Sequence, residues 1–93
     1  MPTSTMLAEQ WRLDGSVALR PEPFGALAYH FGTRKLSFLK TPELVDVVRR
    51  LEQSPSVEAA LTDAGVPEPH WPAYVAALEG LATGGMISRR DPA

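Results

Sequence analysis

The chain has 93 residues, 44% of them hydrophobic, with 9 Pro, 7 Gly and no Cys, which is enough for one hydrophobic core and too little for two. The missing cysteine excludes disulfides, cysteine-bearing zinc and iron–sulfur sites, thiol nucleophiles and thiol redox chemistry. Nine Lys+Arg against 11 Asp+Glu give a formal net charge of -2, the wrong balance for a general nucleic-acid binder.

The first ten residues have neither a basic n-region nor an apolar run, so no signal peptide or membrane span is read there and a cytoplasmic protein is expected. Residues 1–10 and 89–93 are expected to be flexible tails, because they offer little apolar material to bury, with a single domain over residues 11–88. Trp11-Arg12-Leu13 reads as a short strand, and Asp14-Gly15 suits a reversal into Val17-Ala18-Leu19-Arg20. Pro21-Glu22-Pro23 is expected to break the ladder, since neither proline donates a backbone hydrogen bond. Gly25 to Phe31 alternates, with Leu27, Tyr29 and Phe31 on one side and Ala26, Ala28 and His30 on the other. After the Gly32-Thr33-Arg34 turn, Lys35 to Lys40 reads as a partner strand with Leu36 and Phe38 on one face. Lysines at both ends of that strand discourage unwanted edge pairing and can also steer an acidic partner.

Thr41 caps the next element, with Pro42 at its first position and Glu43 in its first turn. Leu44, Val47, Val48 and Leu51 then form a helical stripe opposite Asp46, Arg49, Arg50 and Gln53. Ser54-Pro55 closes this helix and opens another, whose stripe is Val57, Ala60, Leu61 and Ala64, with Gly65-Val66 as its glycine cap. A third helix starts near His70, carries Trp71, Tyr74, Val75, Leu78, Leu81 and Ala82 on one face, and ends at Gly84-Gly85. Met86-Ile87-Ser88 suggests a short closing strand. The fold class is α+β, a three-stranded antiparallel sheet followed by three helices.

Catalysis finds no support. His30 and His70 lack a carboxylate cluster for metal binding, the serines lack a nucleophile-elbow context, and no glycine pattern cradles a phosphate, so no cofactor is expected. Three helices and a strand wing also suggest a DNA-binding regulator or an adaptor for another protein. Between Val66 and Ser88, however, there is no Lys, Arg, Asn or Gln, while Glu68 and Glu79 are present; the third helix is chemically wrong for DNA. The remaining material is apolar. Leu78, Leu81 and Phe38 read as core, yet a small domain struggles to bury two Trp, two Tyr and three Phe completely. A strand edge beside the third helix would make a groove for an extended peptide, held by ladder bonds and apolar pockets.

The order of elements resembles the RiPP recognition element, the small peptide-chaperone domain first described in pyrroloquinoline quinone biosynthesis. The block from Val17 to Lys40, with its proline-flanked Arg20-Pro21-Glu22-Pro23-Phe24-Gly25 run, is similar to the mycofactocin biosynthesis branch of that family over about Trp11 to Ile87. The resemblance implies a winged helix-turn-helix fold and a non-catalytic chaperone. Its partners would be the leader of a ribosomally made precursor peptide and a radical S-adenosylmethionine maturase, to which it presents the peptide's carboxy-terminal Val-Tyr; neither nucleic acid nor membrane is among them. The leader would add a strand beside Lys35 to Leu39 and pack on the third helix. By position, the peptide-binding residues are Arg34, Lys35, Leu36, Ser37, Phe38 and Leu39 on the strand, and Trp71, Tyr74, Val75 and Leu78 on the helix. Any iron–sulfur cluster would belong to the maturase.

Overall fold

Thr41 stops the extended backbone and starts a helix where the sequence predicts, and Ser56 starts the next one just past Ser54-Pro55. The structure, a computed structural model, describes residues 5–90. It runs β1 (Trp11–Leu13), β2 (Val17–Glu22), β3 (Gly25–His30), β4 (Leu36–Leu39), α1 (Pro42–Arg50), α2 (Val57–Asp63), α3 (Trp71–Thr83) and β5 (Ile87–Arg89), with 3-10 turns at Thr5–Ala8, Leu51–Gln53 and Glu68–His70. The architecture is α+β: three helices, an antiparallel sheet ordered β2-β3-β4 and a two-stranded β1-β5 ribbon. The Thr41 hydroxyl accepts the Leu44 N–H at 3.0 Å and the Ser56 hydroxyl accepts the Ala59 N–H at 3.1 Å, satisfying first-turn donors that a helix leaves orphaned. Gly65 and Gly85, at φ 80 and 78, end α2 and α3, and the next residues, Val66 and Met86, donate back to the Leu61 and Leu81 carbonyls.

The proline run does not break the ladder where expected. Pro21 pairs with Ala26 and Glu22 with Gly25, so only Pro23 and Phe24 form the turn. The reason lies in the ladder's phase. The Phe31 N–H bonds the Ser16 carbonyl at 2.8 Å, which in this register makes Pro21–Ala26 a pair without mutual hydrogen bonds; on the edge strand β2 the proline nitrogen points outward, where no donor is needed.

The two faces of the sheet are unequal. Ala26, Ala28, Leu39 and Val17 point inward and are buried with Leu44, Val47 and Val48 of α1, Leu61 of α2, and Leu78 and Leu81 of α3. Small alanines on the central strand let α1 lie close to it. Leu27, Tyr29, Leu36 and Phe38 point outward. Phe38, expected in the core, is therefore 60% exposed, because the alternation of β4 gives its inward place to Leu39.

The ends also differ from the expected tails. Met6 sits in the core within the Thr5–Ala8 turn, and Arg89 belongs to β5, which pairs with β1 from Trp11↔Arg89 to Leu13↔Ile87. Arg90 donates to the Glu52 and Ser54 carbonyls. Residues 1–4 and 91–93 of those tails lie outside the described residues.

Asp14 joins the ribbon to the sheet. Its carboxylate accepts the Ser16 N–H at 2.9 Å and the Ser88 hydroxyl at 2.8 Å, with His30 Nε2 at 3.7 Å. The Ser16 bond, then the Ser88 bond, hold its pKa below the ordinary 3.8, against a small opposing effect of burial. A depressed folded pKa stabilises the fold above the unfolded-chain value, and that contribution is lost as pH falls through the lowered one. The urea midpoint of Asp14→Asn should thus lie below wild type near pH 6 and converge with it near ~pH 2. A gap that persists undiminished in acid would show that the charge is not what matters.

Candidate peptide-binding groove

β4 is an edge strand. The His30 N–H donates to the Lys35 carbonyl at 3.0 Å, and this sets the phase of the β3–β4 ladder. Ala28–Ser37 and Ala26–Leu39 are then the bonded pairs, and Leu36 and Phe38 direct their N–H and C=O groups to the open edge. The loop that launches β4 is braced by His30, whose Nδ1 accepts the Gly32 and Thr33 N–H groups at 3.0 and 3.1 Å. Its proton is consequently on Nε2, facing Asp14. Arg34 completes the reversal at φ 64.

Helix α3 runs beside this edge without closing on it. A space of about 370 Å³ separates Ser37, Phe38 and Lys40 from Leu44, Ala77, Gly80 and Leu81. A further 170 Å³ lies between Lys40, Thr41, Leu44 and Ala73, Tyr74, Ala77. The helical wall is thus Ala73, Ala77 and Gly80, spaced i, i+4, i+7 on one face. A Cβ at Gly80 would meet nothing within 4 Å, so the wall is low because its residues are small. The Tyr74 hydroxyl lies 3.1 Å from Thr41 Oγ1, a hydrogen bond across the end of the groove that ties α3 to the cap of α1.

Of the residues expected here from sequence, Ser37, Phe38 and Tyr74 border the groove. Arg34, Lys35 and Leu36 are exposed at the start of β4, and Leu39 is buried beneath it. Leu78 is buried under α3. Trp71 and Val75 lie on the other flank of the helix, lining a separate cavity of about 380 Å³ with Leu7, Glu68, Pro72, Ala76 and Glu79; the Trp71 indole N–H donates to the Val66 carbonyl at 3.0 Å. Sequence reasoning missed Ala73, Ala77 and Gly80. Their signal was the gap in the apolar pattern, small residues at helical spacing where the larger ones point to the core.

The groove is apolar and cationic at its mouth. Lys35 and Lys40 stand at either end of β4 with Arg34 beside them, all three exposed and without an ion pair among the described residues. Also among the described residues, no three His, Asp or Glu gather to hold a metal ion, and no helix is long and apolar enough to cross a membrane. Open backbone groups, apolar walls and flanking cations suit an extended chain carrying negative charge.

Comparison with known proteins concerns the chain as a whole. No solved structure matches the chain. Proteins named peptide chaperone MftB do. The one from Mycolicibacterium smegmatis is 47% identical over 96% of this chain and 95% of its own length. Those from Mycobacterium ulcerans and Mycobacterium tuberculosis are 53% and 50% identical over 83% and 87% of this chain, and 71% and 74% of their own lengths. The profile of the peptide chaperone MftB family matches residues 10–88, a span that takes in the ribbon up to Ser88, the sheet, the three helices and both walls of the groove, and the chain belongs to that family.

Proposed function

We propose that this chain binds the leader of the mycofactocin precursor peptide as an added strand on β4, and presents the peptide's carboxy-terminal Val-Tyr to a radical S-adenosylmethionine maturase. The observation that carries the reading is the open β4 edge facing the low wall of Ala73, Ala77 and Gly80. Ladder bonds to Leu36 and Phe38 supply affinity without regard to sequence, and peptide side chains on one face of the added strand enter the apolar space along α3. The chain's own task is capture and orientation, and the chemistry takes place on the partner.

Titrating the isotope-labelled protein with the precursor peptide tests this directly. Amide shifts should concentrate at Leu36 to Lys40 and along Ala73, Ala77 and Gly80, with α2 silent; shifts confined to α2 or the ribbon would sink the groove assignment. Arg34, Lys35 and Lys40 predict a second outcome. Association with an acidic leader should slow by about tenfold as salt rises from ~0.05 to ~0.5 M, while dissociation changes little. A salt-independent association rate would remove the steering role.

A further inference from the structure

The outward face of the β2-β3-β4 sheet carries the exposed large hydrophobic residues found among the described residues. Phe24, Phe31, Leu36 and Phe38 are 42, 61, 57 and 60% exposed. The register adds Leu27 opposite Phe38 and Tyr29 opposite Leu36 on the same face. The rings touch: Phe24 meets Phe38 edge to face at 6.0 Å between centroids, and Tyr29 meets Phe31 at 5.3 Å. These groups form one contiguous patch, which a folded monomer seldom exposes unless something binds there.

A peptide strand does not account for it. Added beside β4, it lies about 4.8 Å beyond the edge, extending the face next to Leu36 and Phe38 and leaving Phe24, Leu27, Tyr29 and Phe31 bare. The charges carried by the segment that builds the sheet indicate what covers it. Across residues 17–41, Arg20, Arg34, Lys35 and Lys40 face Glu22 alone, a surplus of three positive charges, whereas residues 42–86 hold seven carboxylates against Arg49 and Arg50. Glu22 is already paired with Arg20 at 3.4 Å. Two copies meeting face to face about a twofold axis would oppose these cations to one another, so a symmetric dimer is disfavoured and an acidic partner favoured.

Resting on the reading of the chain as a delivery chaperone, we infer that this face docks a folded protein that offers an apolar surface within an acidic rim, namely the maturase that takes over the peptide. Phe38 belongs to both surfaces, bordering the groove on one side and the patch on the other. The docked protein therefore sits directly beside the bound leader.

The test uses Phe31→Asp and Ala18→Asp. Ala18 is exposed on β2 opposite Tyr29, at the far side of the sheet from the groove, and neither residue borders the groove. Affinity is measured for the precursor peptide by calorimetry and for the purified maturase by biolayer interferometry, with sedimentation velocity alongside. Each variant should hold peptide within about twofold of wild type, which also shows that it is folded, and lose maturase affinity at least ~tenfold through lost packing and like-charge repulsion. Undiminished maturase binding by both variants overturns the docking face alone. A wild type that binds peptide but no maturase, or neither, overturns the delivery reading and this inference with it. Parallel loss of peptide and maturase by both variants overturns the inference, because face and groove would then be one surface. So does a wild-type dimer, or wild-type binding to phosphatidylglycerol vesicles, that the substitutions abolish.

Discussion

Ala77→Glu is expected to remove measurable binding of the precursor peptide while the domain stays folded. Ala77 lies at the centre of the groove, common to both of its sections. A glutamate there fills the space that a peptide side chain would take and sets a negative charge against an acidic leader. Loss of a central, desolvated contact of this kind costs about 2–4 kcal/mol, or roughly 30- to 1,000-fold in affinity. Glutamate is nearly as good a helix former as alanine, so α3 itself has little reason to respond. The control is its neighbour. Ala76 is exposed on the opposite flank, and Ala76→Glu should bind peptide like wild type. Calorimetry of the two variants decides: equal affinities, whether both high or both low, would place the peptide somewhere other than this groove.

The largest effect on stability is expected from the smallest substitution, Gly25→Ala. A Cβ at position 25 would stand 2.1 Å from the Leu39 carbonyl oxygen and 3.1 Å from that of Thr41. Both atoms are backbone, so no side chain can swing aside, and β4 must move away from β3. An overpacked site of this severity costs about 3 kcal/mol. For a domain of this size that lowers Tm by roughly 12–24 °C. Gly15→Ala, whose Cβ would meet nothing within 4 Å, should melt within about 3 °C of wild type. A Gly25→Ala protein melting like wild type would show that β3 and β4 are not held in this register. Because Gly25 spaces the strand that borders the groove, the variant should also lose peptide affinity at temperatures where it is still folded.

The parts of the fold legible in the sequence are those decided by neighbours along the chain. Thr41, Ser56, Gly65 and Gly85 each satisfy or terminate a helix through bonds to residues within five positions, and the helices fall where these residues place them. The strands were legible as strands, but not their partners. Asp14-Gly15 reverses the chain as expected, yet β1 pairs with β5, more than seventy residues away, and nothing in Trp11-Arg12-Leu13 specifies that choice. Alternation in β3 separated Leu27 and Tyr29 from Ala26 and Ala28 without saying which set faces inward. Size is a poor guide there, because close approach of α1 selects the alanines. The same habit of weighting large apolar residues drew attention on α3 to Trp71, Val75 and Leu78, whereas the groove wall is made by Ala73, Ala77 and Gly80.

The β1-β5 ribbon bears on how the protein is made. Sheet β2-β3-β4 joins strands adjacent in the chain, and α1 packs on it directly, so these contacts are local in sequence. Those of the ribbon are not. Met86 and Ile87 complete the core and β5 gives β1 its partner, which means that Trp11, Arg12 and Leu13 wait as an unpaired strand until nearly the whole domain has been synthesised. During that interval β1 has no partner and the sheet has two open edges, β2, blunted by Pro21, and β4; only β1 is later paired from within. If β4 takes the peptide as proposed, one arriving before the ribbon closes would meet the unpaired β1 as well.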